Sequence, residues 1–108
     1  MKMLRLNSKT LICPQNIAYM EVRRSQQARS DRACVVIEIN YAFGSVKQVI
    51  ECGRMENPYS SKRIPVEDEY WSWTFDPERQ SGPFTAKQII EAAEEKLSEI
   101  HGRIAALQ

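Results

Sequence analysis

Arginine is the most concentrated chemistry in the chain. In Arg23-Arg24-Ser25-Gln26-Gln27-Ala28-Arg29-Ser30-Asp31-Arg32, the guanidinium groups of Arg23, Arg24, Arg29 and Arg32 stand against a single carboxylate. A guanidinium is planar, permanently charged and forked, so such a stretch suits phosphate oxygens or an acidic protein surface. A second segment, Tyr70-Trp71-Ser72-Trp73-Thr74-Phe75, places Trp71, Trp73 and Phe75 on one side of an extended chain. Flat rings on a sheet surface can stack bases, and Trp71 and Trp73 are the candidates for that. The same rings are equally suited to filling a core beneath a helix. A third segment, residues 54–69, contains Pro58, Pro65 and the side chains Tyr59, Lys62 and Arg63. A connection of this length without a hydrophobic period is commonly a place where function sits.

Other chemistries are disfavoured. Cys13, Cys34 and Cys52 are odd in number and form no Cys-x-x-Cys pair, so reduced thiols are expected, with Cys34 and Cys52 as small apolar residues inside strands. Together with His101 they would make four zinc ligands, but no two lie close enough in sequence to form a knuckle, and no metal site is expected. The four glycines (Gly44, Gly53, Gly82, Gly102) have no phosphate-cradling spacing. There is no Gly-x-Ser-x-Gly elbow and no His-Glu-x-x-His helix, and the one histidine has no sequence-local partner to orient it. The expectation is a chain that is not an enzyme and holds no cofactor.

The 108 residues suit a single domain, 1–108, and a composition 43% hydrophobic and 27% charged is that of a folded chain. No apolar run approaches the roughly 18 residues that cross a bilayer, and the first residues lack a secretory leader, so a cytoplasmic protein without membrane contact is expected. The net charge of +1 steers no partner, but its distribution is uneven. Residues 1–54 carry nine Lys/Arg against four Asp/Glu, and residues 55–108 carry six against ten, including Glu67-Asp68-Glu69 and Glu91, Glu94, Glu95 and Glu99. Such a chain presents two electrically distinct regions.

The elements that must position these groups follow from periodicity. Leu4 and Leu6 alternate with polar neighbours, Thr10–Cys13 is a second short extended piece ended by Pro14, and Ala18, Met20 and Val22 mark a half-buried strand. The strongest strand is Ala33–Ala42, with Val35, Ile37, Ile39 and Tyr41 facing one way. Val46–Cys52 reads either as a two-turn helix or as a strand folding back through Phe43-Gly44. The hairpin is preferred because it opposes Tyr41 to Val46, Ile39 to Gln48, Ile37 to Ile50, Val35 to Cys52, and Asn40 to Lys47. Ser81-Gly82-Pro83 reads as a turn. Thr85 with Gln88 forms a capping box, and Ala86, Ile90, Ala93, Leu97, Ile100, Ile104 and Leu107 make a helical apolar stripe that runs past Gly102. These elements predict an α+β fold: a mainly antiparallel sheet of five or six short strands with one long C-terminal helix packed on it. Glu91, Glu95 and Glu99 are left facing solvent.

The segment Leu6-Asn7-Ser8-Lys9-Thr10-Leu11-Ile12-Cys13-Pro14-Gln15-Asn16-Ile17-Ala18-Tyr19-Met20-Glu21-Val22 resembles the start of small bacterial β-plus-helix proteins of the flagellar FlbD type. Cys13 stands where that pattern has Asn, and Met20 where it has Ile. The resemblance implies strands followed by a helix and a non-enzymatic regulatory role; it transfers no site residue. The functional expectation is a binding or regulatory protein acting by protein–protein contact through Arg23, Arg24, Arg29, Arg32, Tyr59, Lys62 and Arg63. Nucleic-acid binding through the 23–32 stretch is the alternative. Exposed edges of an antiparallel sheet also make a homo-oligomer an expectation.

Overall fold

The computed structural model describes residues 3–26, 33–44, 46–55 and 71–107. Its elements, in order, are β1 (Leu4–Asn7), β2 (Thr10–Ile12), β3 (Ile17–Gln26), β4 (Ala33–Tyr41), β5 (Lys47–Met55), β6 (Trp71–Trp73), β7 (Gln80–Phe84) and α1 (Ala86–Ala106), with a 3-10 turn at Pro14–Asn16. Strands β3 to β7 form one antiparallel sheet in chain order, and β1 and β2 pair separately as a hairpin. The helix lies against β3, β4, β5 and β6, so the architecture is α+β.

The Val46–Cys52 ambiguity resolves as a strand. Gly44, at a positive φ of 62°, closes the turn, and the Tyr41 amide donates to the Val46 carbonyl at 3.1 Å. Asn40, Ile39 and Ile37 oppose Lys47, Gln48 and Ile50 as the side-chain pattern requires. Above Ile50 the register changes: Val36 opposes Glu51 while Val35 opposes Gly53, correcting the expected Val35–Cys52 pair. Cys52 is the extra residue of a β-bulge, and a bulge shifts the phase of a strand. Cys52 and Gly53 are both buried on the helix side as a result, and burial pushes the Cys52 thiol up to about 12. A Cβ on Gly53 would lie 2.3 Å from Ile89 Cγ2, so the missing side chain leaves the depression that the helix fills.

That depression also corrects the helical stripe. Ile89, rather than Ile90, is fully buried along with Ala86, Ala93 and Ile100, whereas Ile90 and Leu97 pack half-buried at the margin. The capping box forms as expected: the Gln88 amide donates to Thr85 Oγ1 at 3.0 Å, and the Thr85 amide donates to Gln88 Oε1 at 2.8 Å. The helix runs through Gly102 to Ala106, with Glu91, Glu95 and Glu99 exposed. It covers Val35, Ile37, Ile39, Ile50, Trp71 and Trp73, and Leu4, Leu6 and Ile12 of the β1–β2 hairpin join the same core. Each fully buried aliphatic side chain of this kind contributes about 1.5–3 kcal/mol. The Arg103 side chain donates to the Arg5 carbonyl at 2.8 Å and the Gln48 amide to the Leu11 carbonyl at 3.1 Å, fixing the hairpin to helix and sheet.

Two further expectations change. Ser81-Gly82-Pro83 lies within β7 rather than in a turn: the Gly82 amide donates to the buried Ser72 hydroxyl at 2.9 Å. Proline is admissible there because, among the described residues, β7 is the last strand of the sheet, with no ladder on one side. Cys34, on the side of β4 away from the helix, is half-buried rather than buried.

Candidate functional site

The face of the sheet opposite the helix is built by alternate residues of β3, β4 and β5. Its cross-strand rows are Tyr19–Asn40–Lys47, Glu21–Glu38–Val49 and Arg23–Val36–Glu51, with Arg54 following beside Cys34. At the centre is Glu38, only 7% exposed although it lies on the uncovered side. Asn40 Nδ2 donates to Glu38 Oε1 at 3.2 Å, Arg23 Nη1 donates to Oε2 at 3.3 Å, and Lys47 Nζ lies 3.8 Å from Oε2. The hydrogen bond from Asn40 and the charges of Lys47 and Arg23 outweigh burial and hold the carboxyl below the usual glutamate range. Arg23 also reaches Glu21 at 3.8 Å. Arg54 makes a two-pronged pair with Glu51 at 2.8 and 2.9 Å, and Thr74 Oγ1 adds a hydrogen bond to the same carboxylate at 3.2 Å. Every cation in these rows therefore has a carboxylate within ion-pair distance.

Tyr19 and Val49 stand among these charges, 55% and 54% exposed. They flank the Glu38 and Asn40 row of β4 from either side, and exposed apolar side chains beside a polar network are the mixed composition of contact surfaces. The turn that joins β4 to β5 continues the apolar character with exposed Phe43 and Val46. Among these residues only Arg23 was singled out by the sequence. The hairpin register already opposed Asn40 to Lys47, but assembling the whole face also needs the β3–β4 register, which no local spacing reveals.

The arginine stretch divides between the two faces. Arg23 belongs to the network just described, whereas Arg24 opposes Val35 on the helix side, its guanidinium carbon 5.6 Å from the centre of the Trp71 ring. Arg29, Arg32, Tyr59, Lys62 and Arg63 lie outside the described residues. The strand ends that bracket them are neighbours: Gln26 pairs with Ala33, Cys34 with Arg54, and Met55 with Trp71. Both segments therefore leave the sheet from one end. Of the two roles open to Trp71 and Trp73, the structure gives the core one: Trp71 is fully buried and Trp73 is 9% exposed, stacked on Phe75 with centroids 5.8 Å apart. A base needs an open ring face, and these are spent in the core.

Two clefts lie beside this face and beneath the helix. One, of about 400 Å³, runs between α1 and β6–β7 over a floor of Trp73, Phe84, Ile89 and Ala92. Lys96 dominates it: Nζ bonds Glu78 at 2.5 Å and Glu99 at 3.2 Å and sits 5.0 Å from the Phe75 ring centre. Burial alone would lower the Lys96 pKa, but its bonds to Glu78 and Glu99 raise it, so the ammonium stays charged and closed on its own carboxylates. The other cleft, about 320 Å³, lies between the β1–β2 turn and β5, where Ser8 Oγ bonds Asp76 at 2.5 Å. Among the described residues no three of His, Cys, Asp and Glu gather as a metal site, and no helix is long and apolar enough to cross a membrane. No family model matches the chain, and neither does any curated protein or solved structure.

Proposed function

We propose that this is a non-enzymatic binding or regulatory protein of the cytoplasm that acts by protein–protein contact, presenting the outer face of its sheet to another protein. The observation that supports this reading is the combination of half-exposed Tyr19 and Val49 with a charge network that balances itself. A phosphate-binding surface needs cations left over for phosphate, whereas here Arg23, Lys47 and Arg54 are matched by Glu21, Glu38 and Glu51. Exposed apolar side chains set beside a balanced polar network make up the mixed composition of a protein interface. The neighbouring end of the sheet, where the segments carrying Arg29, Arg32, Tyr59, Lys62 and Arg63 are attached, extends the same reading to those residues.

A photo-crosslinking residue at position 49, compared with one at Glu91 on the exposed side of the helix, tests it in the native cell. The expected result is a discrete adduct with another protein from position 49, diminished by Tyr19→Asp, and none from position 91. Anisotropy with a duplex and a single-stranded oligonucleotide at two salt concentrations is expected to show no binding. Binding that collapses with salt and with R23A/R24A would transfer the function to nucleic acid.

A further inference from the structure

Among the described residues β3 has β4 as its one neighbour, so the other side of this ten-residue strand is an edge of the sheet those residues form. The opposite edge, β7, is half as long and carries Pro83. Proline blunts an edge, and β3 between Ile17 and Gln26 contains neither proline nor glycine. We propose that two copies of the chain pair along β3, antiparallel, across a twofold axis at Val22, joining their sheets into one. The second copy names one partner for a protein that works by contact, but the pairing uses the edge of β3 and does not depend on Tyr19 or Val49.

Symmetry and charge select among registers centred near the middle of the strand. A twofold axis normal to the sheet brings residues of the same face opposite one another, so the axis must pass through a residue and not between two. Centring on Glu21 would oppose two carboxylates, and centring on Arg23 two guanidinium groups, both unfavourable as direct cross-strand pairs. Centring on Val22 opposes Glu21 to Arg23 of the second copy, twice, and Val22 to itself. Glu21 and Arg23 keep 45% and 55% of their side chains exposed, enough to reach across. Met20 and Val22, on the helix side, are partly buried at the margin of the core and gain cover from the second copy.

Sedimentation equilibrium of the full chain is expected to give twice the 12.5 kDa chain mass. E21R sets like charges against each other across the axis while facing Glu38 within its own chain, so the fold is retained and the dimer dissociation constant is expected to rise about tenfold or more. Adding R23E restores opposite charges and, with them, the dimer. Oxidised Val22→Cys is expected to give a disulfide-linked dimer on a non-reducing gel, which the wild type with its native cysteines does not. A wild type that sediments as a monomer overturns the proposal, whatever the adducts from position 49 show. A dimer unaffected by E21R, or a Val22→Cys variant that does not cross-link, overturns the Val22-centred pairing.

Discussion

The two faces of the sheet are made by alternate residues of the same strands, and they differ in what the chain lays over them. On β4, Val35, Ile37 and Ile39 point toward α1 and are fully buried, while Val36, Glu38 and Asn40 point the other way. The helix side is sealed by apolar contact. The outer side holds the buried Glu38 carboxylate by hydrogen bonds and opposite charges instead. Stability should therefore reside on one face and recognition on the other. The sharpest test is a pair of truncations one strand apart. Ile37→Ala is expected to cost about 2–5 kcal/mol, as a fully buried aliphatic losing its contacts. Tyr19→Ala should change stability by no more than about 0.5 kcal/mol while reducing the protein adduct formed from position 49. Urea midpoints measure both, and equal costs would erase the distinction between the faces.

Gly53→Ala probes the helix side at its tightest point. The added methyl meets Ile89 Cγ2 at 2.3 Å and the Ser72 carbonyl at 3.1 Å, and a β-branched side chain in a helix has no other rotamer to retreat to. The helix must lift, at an expected cost of about 1–3 kcal/mol. A neutral Gly53→Ala would mean that Ile89 is not seated as described. Thr85→Ala should cost less, about 1 kcal/mol, because it removes one cap from an otherwise intact helix. Far-ultraviolet circular dichroism during urea unfolding reads both.

How much of this was legible depends on the range of the interaction. The Thr85–Gln88 box and the Asn40–Lys47 and Ile37–Ile50 pairings are local, fixed by spacing across three residues or one tight turn, and the chain states them directly. The bulge at Cys52 is not local: it becomes worthwhile only because Gly53 then meets Ile89, a residue 36 positions later. The assignment of Ile90 rather than Ile89 to the buried stripe fails for the same reason. Ser81-Gly82-Pro83 has turn chemistry, but an edge strand places no demand on the proline nitrogen, and the Ser72 hydroxyl takes the Gly82 amide. Arg23 was visible as charge, whereas its role on the outer face is set by Glu38 fifteen residues away.

The finest expected effect is on the pH dependence of the outer face. Folding holds the Glu38 carboxyl below the ordinary glutamate range, first through Asn40 and then through Lys47 and Arg23, so the folded chain favours the ionised form. That contribution is complete above the pKa of an unfolded glutamate and is lost as pH falls through the lower folded-state value. Wild type should therefore lose stability on acidification more steeply than Glu38→Gln, with the two melting-temperature curves converging at the acid end. Val36→Ala, which leaves the carboxylate in place, should keep the wild-type slope from a lower starting temperature. If the Glu38→Gln curve instead ran parallel to that of wild type at every pH, Glu38 would be held by shape alone. The outer face would then differ from the inner one only in lacking a helix.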